Sequence, residues 1–194
     1  MDDQRENEQV IERLADVLDN LSIRYAIGGS VASALYGTVR FTRDADISVE
    51  PFSPCADRLY EVLKGEFYVS RDAMEEALRS RASFNIIHLE TAFKIDLFIQ
   101  GPGEFEGRLL DRRHRMRLSE MSPRDVYVVS PEDVVLLKLR WFAMTGGTSE
   151  RQWSDVLGVL GVQGPALDRA YLTRWARKLG LNELLDRAIA EAGT

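Results

Sequence analysis

The segment from Tyr25 to Glu50 constrains this chain more than any other. A short apolar run, Tyr25 to Ile27, leads into Gly28-Gly29-Ser30; a helical stretch follows from Val31 to Tyr36, and Arg40-Phe41-Thr42-Arg43 introduces Asp44-Ala45-Asp46-Ile47. Glycines at a strand-to-helix turn let backbone N–H groups approach an anion. The helix N-terminus adds its positive dipole end, and the Ser30 hydroxyl can add a hydrogen bond. Side chains alternate along a strand, so Asp44 and Asp46 project from one face while Ala45, Ile47 and Val49 enter a core. Phe93 to Ile99 repeats the pattern, with Lys94, Asp96 and Phe98 on one face and Ile95, Leu97 and Ile99 on the other. If the two strands are neighbours, three carboxylates gather, and each pair at ~4 Å repels by about 4 kcal/mol at an effective dielectric near 20. Such a cluster calls for cations. All-oxygen ligation suits Mg²⁺ or Mn²⁺, with water and the phosphates of a nucleoside triphosphate filling the remaining positions. Neither an Asp-x-Asp pair nor a Gly-Gly-Ser turn is diagnostic alone; their combination in this order is hard to obtain for purely structural reasons.

The rest of the chain supplies a mixed α and β frame. Val10, Ile11, Leu14, Ala15, Leu18 and Leu21 recur at helical intervals between about Glu6 and Leu21. Strands are expected at Tyr25 to Ile27, Ile47 to Val49, Ser83 to Leu89, Phe93 to Ile99 and Val126 to Val129, with a tight hairpin at Glu90-Thr91. Helices are expected at Val31 to Tyr36, Ala56 to Leu63 and Ala73 to Leu78. At Ser130-Pro131-Glu132-Asp133 the character changes: a capping serine, a proline in the first helical position and an acid three residues after the cap start a helix. Beyond it only helical periodicity is found, at Glu132 to Ala143, Glu150 to Leu160, Pro165 to Leu179 and Glu183 to Ala192. The expected organisation is residues 1–129 as an α+β catalytic domain and residues 130–194 as a helical bundle.

Composition narrows the chemistry. Cys55 is the only cysteine and His88 and His114 the only histidines, so neither an internal disulfide nor a Cys/His zinc site is expected. A formal net charge of -6 argues against a general nucleic-acid coat. The polar N-terminus and the lack of a long apolar run point to a cytoplasmic protein with no membrane partner. The run Arg108, Arg112, Arg113, His114, Arg115 and Arg117 reads as a solvated, salt-bridged helix face, or as a contact for RNA. Trp141, Trp153 and Trp175 follow helical periodicities and are expected in the core of the bundle. Lys138, in an apolar helical run, either reaches a triphosphate or snorkels to the surface. Of the two arginines before the acids, Arg40 is the expected phosphate contact and Arg43 a balancing charge.

Ile27-Gly28-Gly29-Ser30 and Asp44-Ala45-Asp46-Ile47, with Asp96 on a later strand, resemble the signature of the polymerase-β-type nucleotidyltransferase superfamily. The wording Arg40-x-Thr42-x-Asp44-x-Asp46, followed by Ser130-Pro-Glu-Asp-Val-Val-Leu-Leu-Lys138 and a helical tail, resembles the AbiEii-like branch, which contains toxins of toxin-antitoxin pairs. The likeness runs from about Arg24 to Leu160. It implies a mixed sheet flanked by helices, two divalent ions, Mg²⁺ or Mn²⁺, and transfer of a nucleoside monophosphate to an acceptor with release of pyrophosphate. By the same resemblance Gly29 and Ser30 would hold the β- and γ-phosphates; Gly28, Arg40 and Lys138 are the further expected nucleotide contacts from their positions in the sequence. Asp44 and Asp46 would bridge the metals, and Asp96 would hold the metal that activates the acceptor. An RNA or protein hydroxyl is the expected acceptor, with an antitoxin as a possible partner protein. A small molecule such as an aminoglycoside or lincosamide, or a binding module of the same fold without catalysis, are the alternatives.

Overall fold

The computed structural model describes residues 2–39 and 42–193; Arg40, and with it the expected phosphate contact, lies outside the described residues. In chain order the elements are α1 (Asp2–Asn20), β1 (Tyr25–Ile27), α2 (Gly29–Tyr36), β2 (Asp44–Val49), α3 (Ala56–Leu63), β3 (Phe67–Val69), α4 (Arg71–Ser80), β4 (Ser83–His88) and β5 (Lys94–Ile99). There follow α5 (Glu104–Asp111), β6 (His114–Met116), β7 (Val126–Val128), α6 (Pro131–Met144), α7 (Glu150–Gln163), α8 (Arg169–Leu179) and α9 (Asn182–Ala192). Contacts divide the chain into two compact units, Met1–Gly28 with Phe41–Val128 and Gly29–Arg40 with Val129–Thr194.

The first unit holds the whole sheet, in the order β3-β4-β5-β2-β1-β7-β6. β2 and β5 run parallel at its centre over six register pairs, β1 is antiparallel to β2, and β7 is parallel to β1. Alternation explains the centre directly. Ala45, Ile47, Val49, Ile95, Leu97 and Ile99 are all buried, while the residues between them are half-exposed. Each large aliphatic chain removed from water in this way contributes about 1.5–3 kcal/mol. α1 packs Val10, Ile11, Leu14, Ala15 and Leu18 inward, the stripe its spacing predicts. Arg124 ties the end of α1 to the segment before β7 through ion pairs with Asp16 and Asp19.

Two edge strands and one helix depart from the sequence expectation. β3 and β6 have three residues each, too few for alternation to be visible, and they exist because β4 and β7 offer open edges to pair with. The basic run is not one helix face: Arg108 lies on α5, which ends at Asp111, and His114 to Met116 form β6. Arg115 and Arg117 there lie 3.6 Å from the carboxylate of Asp125.

The second unit is helical. Ser130 caps α6, its Oγ accepting from the Asp133 N–H at 3.2 Å and donating to Asp133 Oδ2 at 2.8 Å; Tyr171 Oη donates to Asp133 Oδ1 at 2.7 Å. The expected helix from Pro165 is broken: Gly164–Ala166 form a single 3₁₀ turn, and Asp168 starts α8 by accepting from the Tyr171 N–H at 2.9 Å. Gly37 permits a close crossing, since a Cβ there would stand 2.8 Å from the Gly158 backbone. Trp153 and Trp175 are buried as expected; Trp141, with 48% of its surface exposed, is not.

Lys138 is buried in this unit, its Nζ 2.7 Å from Asp155 Oδ2. Removing one partner of such a pair leaves an uncompensated charge in the interior. Lys138→Met or Asp155→Asn alone is expected to lower the stability by about 3–5 kcal/mol, and the double change Lys138→Met with Asp155→Leu to recover most of it. Urea unfolding of the three variants measures both quantities.

Candidate active site

The acids of the first unit are placed by strand pairing. In the parallel register of β2 with β5, Asp46 stands opposite Asp96 and Asp44 opposite Lys94. On the other side of β5, Asn85 of β4 stands opposite Asp96, so Asn85, Asp96 and Asp46 form a row across three strands. Neighbouring strands lie about 4.8 Å apart, which brings the two carboxylates side by side on the half-exposed face. The condition on which the gathering of the acids depended is met: β2 and β5 are neighbours, and Asp44, Asp46 and Asp96 share one face of them.

The glycine turn begins next to these acids. The Gly28 N–H donates to the Asp46 carbonyl at 2.8 Å, extending the β1–β2 ladder by one residue. Gly29 follows with φ +55°, the left-handed region that favours glycine, and opens α2. In the second unit the Ser30 hydroxyl is buried and accepts from Arg151 NH2 at 3.2 Å. Arg151 was not singled out by the sequence reading; its place in the first turn of a helix capped by Ser149 was the only available signal.

The acids are held by neighbouring donors. The Thr42 hydroxyl lies 2.8 Å from the Asp44 carbonyl oxygen and 3.2 Å from its Oδ1. Lys94 Nζ lies 2.6 Å from Asp96 Oδ2. The hydrogen bond to Asp96, reinforced by the charges of Asp96, Asp44 and Asp46, holds the Lys94 ammonium above the usual lysine range against the opposing effect of burial. Lys94 was legible in the sequence as a residue on the acid face, but not as the counter-charge of the cluster.

The donor types are those a hard divalent cation takes, three carboxylates with no sulfur or imidazole, but their side chains do not close on a common point. Among the described residues no three His, Cys, Asp or Glu side chains are gathered closely enough to hold a metal ion. Asp96 is instead paired with the Lys94 ammonium. The other expected nucleotide contact, Lys138, is the buried partner of Asp155 described above. His88 closes the β4–β5 hairpin, its Nδ1 2.9 Å from Thr91 Oγ1, and half-buried Cys55 lies in the turn before α3. Both are structural in these settings. Among the described residues, no helix is long and apolar enough to cross a membrane.

The sequence matches no protein-family model, and no curated protein matches it. Its fold is shared with solved structures. An antigenic nucleotidyltransferase-like protein from Paracoccidioides brasiliensis is 18% identical with a TM-score of 0.57, the match covering 96% of this chain and 93% of that one. The antibiotic-resistance factor ANT(2'')-Ia is 12% identical with a TM-score of 0.56, covering 97% and 95%. A candidate nucleotidyltransferase from Thermotoga maritima is 15% identical with a TM-score of 0.51, covering 77% and 93%. The fold is thus α+β of the nucleotidyltransferase-like type, a mixed sheet flanked by helices.

Two substitutions separate the acid pair from the turn. Asp46→Asn removes a like charge from beside Asp96 and is expected to leave the stability within about 1 kcal/mol of the parent or above it. Gly29→Ala places a Cβ at a positive φ and is expected to cost about 1 kcal/mol or more. Urea midpoints at neutral pH check both signs.

Proposed function

We propose that this chain is a divalent-metal-dependent nucleotidyltransferase that moves a nucleoside monophosphate from a nucleoside triphosphate to a hydroxyl of RNA or protein. The observation that carries the reading is the register of β2 with β5, which sets Asp46 against Asp96 with Asp44 on the same face. Like charges aligned on a half-exposed face are unfavourable for a scaffold alone and useful to a cation-dependent reaction. The fold shared with nucleotidyltransferase-like structures supports the same class.

In this reading Gly29 offers its backbone N–H and Ser30 its hydroxyl to the phosphates, Gly28 serving through its place at the turn because its own N–H is bound to Asp46; Arg151 stands beside Ser30. Asp44, Asp46 and Asp96 are the carboxylates that would hold Mg²⁺ or Mn²⁺, two ions with nucleotide bound, and the chemistry such ions would supply is activation of an acceptor hydroxyl and neutralisation of charge on the leaving pyrophosphate. Asp96 takes the acceptor's proton. The acceptor oxygen bonds to the α-phosphorus in line, the bridging bond to the β-phosphate breaks, and pyrophosphate leaves with the electron pair. Lys138 is left to its role beside Asp155, and the wording around Arg40 and Ser130 supports placement in the AbiEii-like toxin branch with an antitoxin as partner. A second reading, transfer to a small antibiotic, is favoured by the fold shared with ANT(2'')-Ia along 97% of the chain.

Incubation with α-labelled ATP, CTP, GTP and UTP, Mg²⁺ or Mn²⁺, total RNA, a cell extract and an aminoglycoside panel separates the acceptors. Label is expected in RNA or protein, and Asp96→Ala is expected to reduce it by roughly 10²-fold or more. Label in the antibiotic alone selects the second reading. Nucleotide binding without transfer to any acceptor would overturn both in favour of a binding module.

A further inference from the structure

The first unit has a cavity of about 180 Å³ whose wall includes Arg24, Tyr25, Arg113 and Tyr127. A second, of about 320 Å³, shares Arg24, Arg113 and Tyr127 with it. Tyr25 pairs with Val49, the last residue of β2, whereas Asp44 begins that strand, so the cavity lies at the other end of the ladder from the acids. Two donors on its wall are buried without a partner among the described residues: the Tyr25 hydroxyl and the Arg113 Nε–H. Tyr25 is fully buried, and the group turned toward its oxygen is the Tyr127 backbone N–H, itself a donor, which leaves the phenolic hydrogen without an acceptor. Burial, helped by the Asp19 charge, pushes the hydroxyl up to about 12, so it keeps its proton at neutral pH. Buried donors in folded proteins are nearly always satisfied, and two on one wall call for an acceptor in the cavity. The acids on these walls are already engaged, Asp111 with Arg24 at 2.6 Å and Asp19 with Arg124. Arg113 makes no ion pair among the described residues: its guanidinium lies 4.3 Å over the centre of the Tyr127 ring and its Nη1 donates to the Leu110 carbonyl at 2.7 Å. The edge left over, Nε with Nη2, is a fork for two coplanar oxygens.

We propose that this cavity is a binding site for a small monocarboxylate, separate from the acids of β2 and β5. The carboxylate accepts from the Nε–Nη2 edge of Arg113 and from the Tyr25 hydroxyl, while the Tyr127 ring holds the guanidinium plane in place. Its single charge matches the single unpaired cation. Its one substituent extends into the second cavity. A phosphate monoester brings up to two negative charges to walls that already carry Asp19 and Asp111, and a phosphodiester needs room for two substituents. The inference does not depend on nucleotidyl transfer.

The test is an NMR titration of the full chain with isotopically labelled nitrogen, following the arginine Nε–H resonances; that of Arg113 is the one missing from Arg113→Lys. The probes are acetate and benzoate, with dimethyl phosphate and inorganic phosphate as the phosphodiester and phosphate arms. Acetate or benzoate is expected to shift the Arg113 resonance saturably. Tyr25→Phe keeps the ring and removes only the unpaired hydroxyl, and is expected to weaken that binding about 10-fold. Arg113→Lys keeps the charge and loses the fork; with binding followed on the benzoate signals, it is expected to weaken it by about 10-fold or more. Arg115→Gln, which removes a cation that lines neither cavity, should bind as the parent does. Tighter binding of dimethyl phosphate or inorganic phosphate than of either carboxylate overturns the choice of ligand. No saturable shift with any probe, or equal affinity in the parent and Tyr25→Phe, overturns the site and leaves water as the acceptor of the two donors. A urea midpoint for each variant confirms that the comparison is between folded proteins.

Discussion

The parallel pairing of β2 with β5 is the constraint on which the candidate site depends. Its register is fixed by the core face: Ile47, Val49, Ile95 and Leu97 are each almost fully buried, and a slip of one residue would carry them to the open face and drive Asp46 and Asp96 inward. At about 1.5–3 kcal/mol for each side chain, four of them outweigh a carboxylate repulsion of about 4 kcal/mol at 4 Å. The acids do not choose their neighbours. The aliphatic face chooses for them, and Lys94 on the same strand supplies the positive charge that makes the result tolerable.

The same logic sets the glycine turn. Gly28 is the last residue bound to β2, through the Asp46 carbonyl, and one peptide bond later the chain changes direction at a positive φ and enters α2. Gly28 belongs to the first unit and Gly29 to the second, so the turn is divided between them, while Asp44 and Asp46 belong wholly to the first. A boundary drawn where strand periodicity stops, at Ser130, divides the pattern of the sequence; contacts group Gly29–Arg40 with the later helices.

What was legible in the sequence follows from how local each signal is. Strand alternation over six residues revealed β5 and the acid face of β2, and a capping serine followed by proline marked the start of α6 to within a residue. Three-residue edge strands have no alternation to display. The basic run after Arg108 contained too few residues per element to separate helix from strand, and Trp141 followed the same periodicity as its buried counterparts yet is exposed. Register was also invisible: nothing local in Asp46 or Asp96 says that they are partners, only the closure of the sheet does.

The two lysines show where sequence reasoning was misled by position. Lys138 lies in an apolar helical run and invited assignment to a phosphate, while Lys94, between the acids, looked like one more residue of a strand face. Burial reverses their suitability. The Lys138 side chain is 6% exposed and faces a carboxylate 7% exposed, so departure toward an arriving anion would break a buried ion pair in the interior. The Lys94 side chain is 41% exposed beside an acid that is itself 23% exposed, so water can solvate both when they part. A cation able to respond to a ligand must have somewhere to go and must leave nothing uncompensated behind. Of these two, only Lys94 meets both conditions.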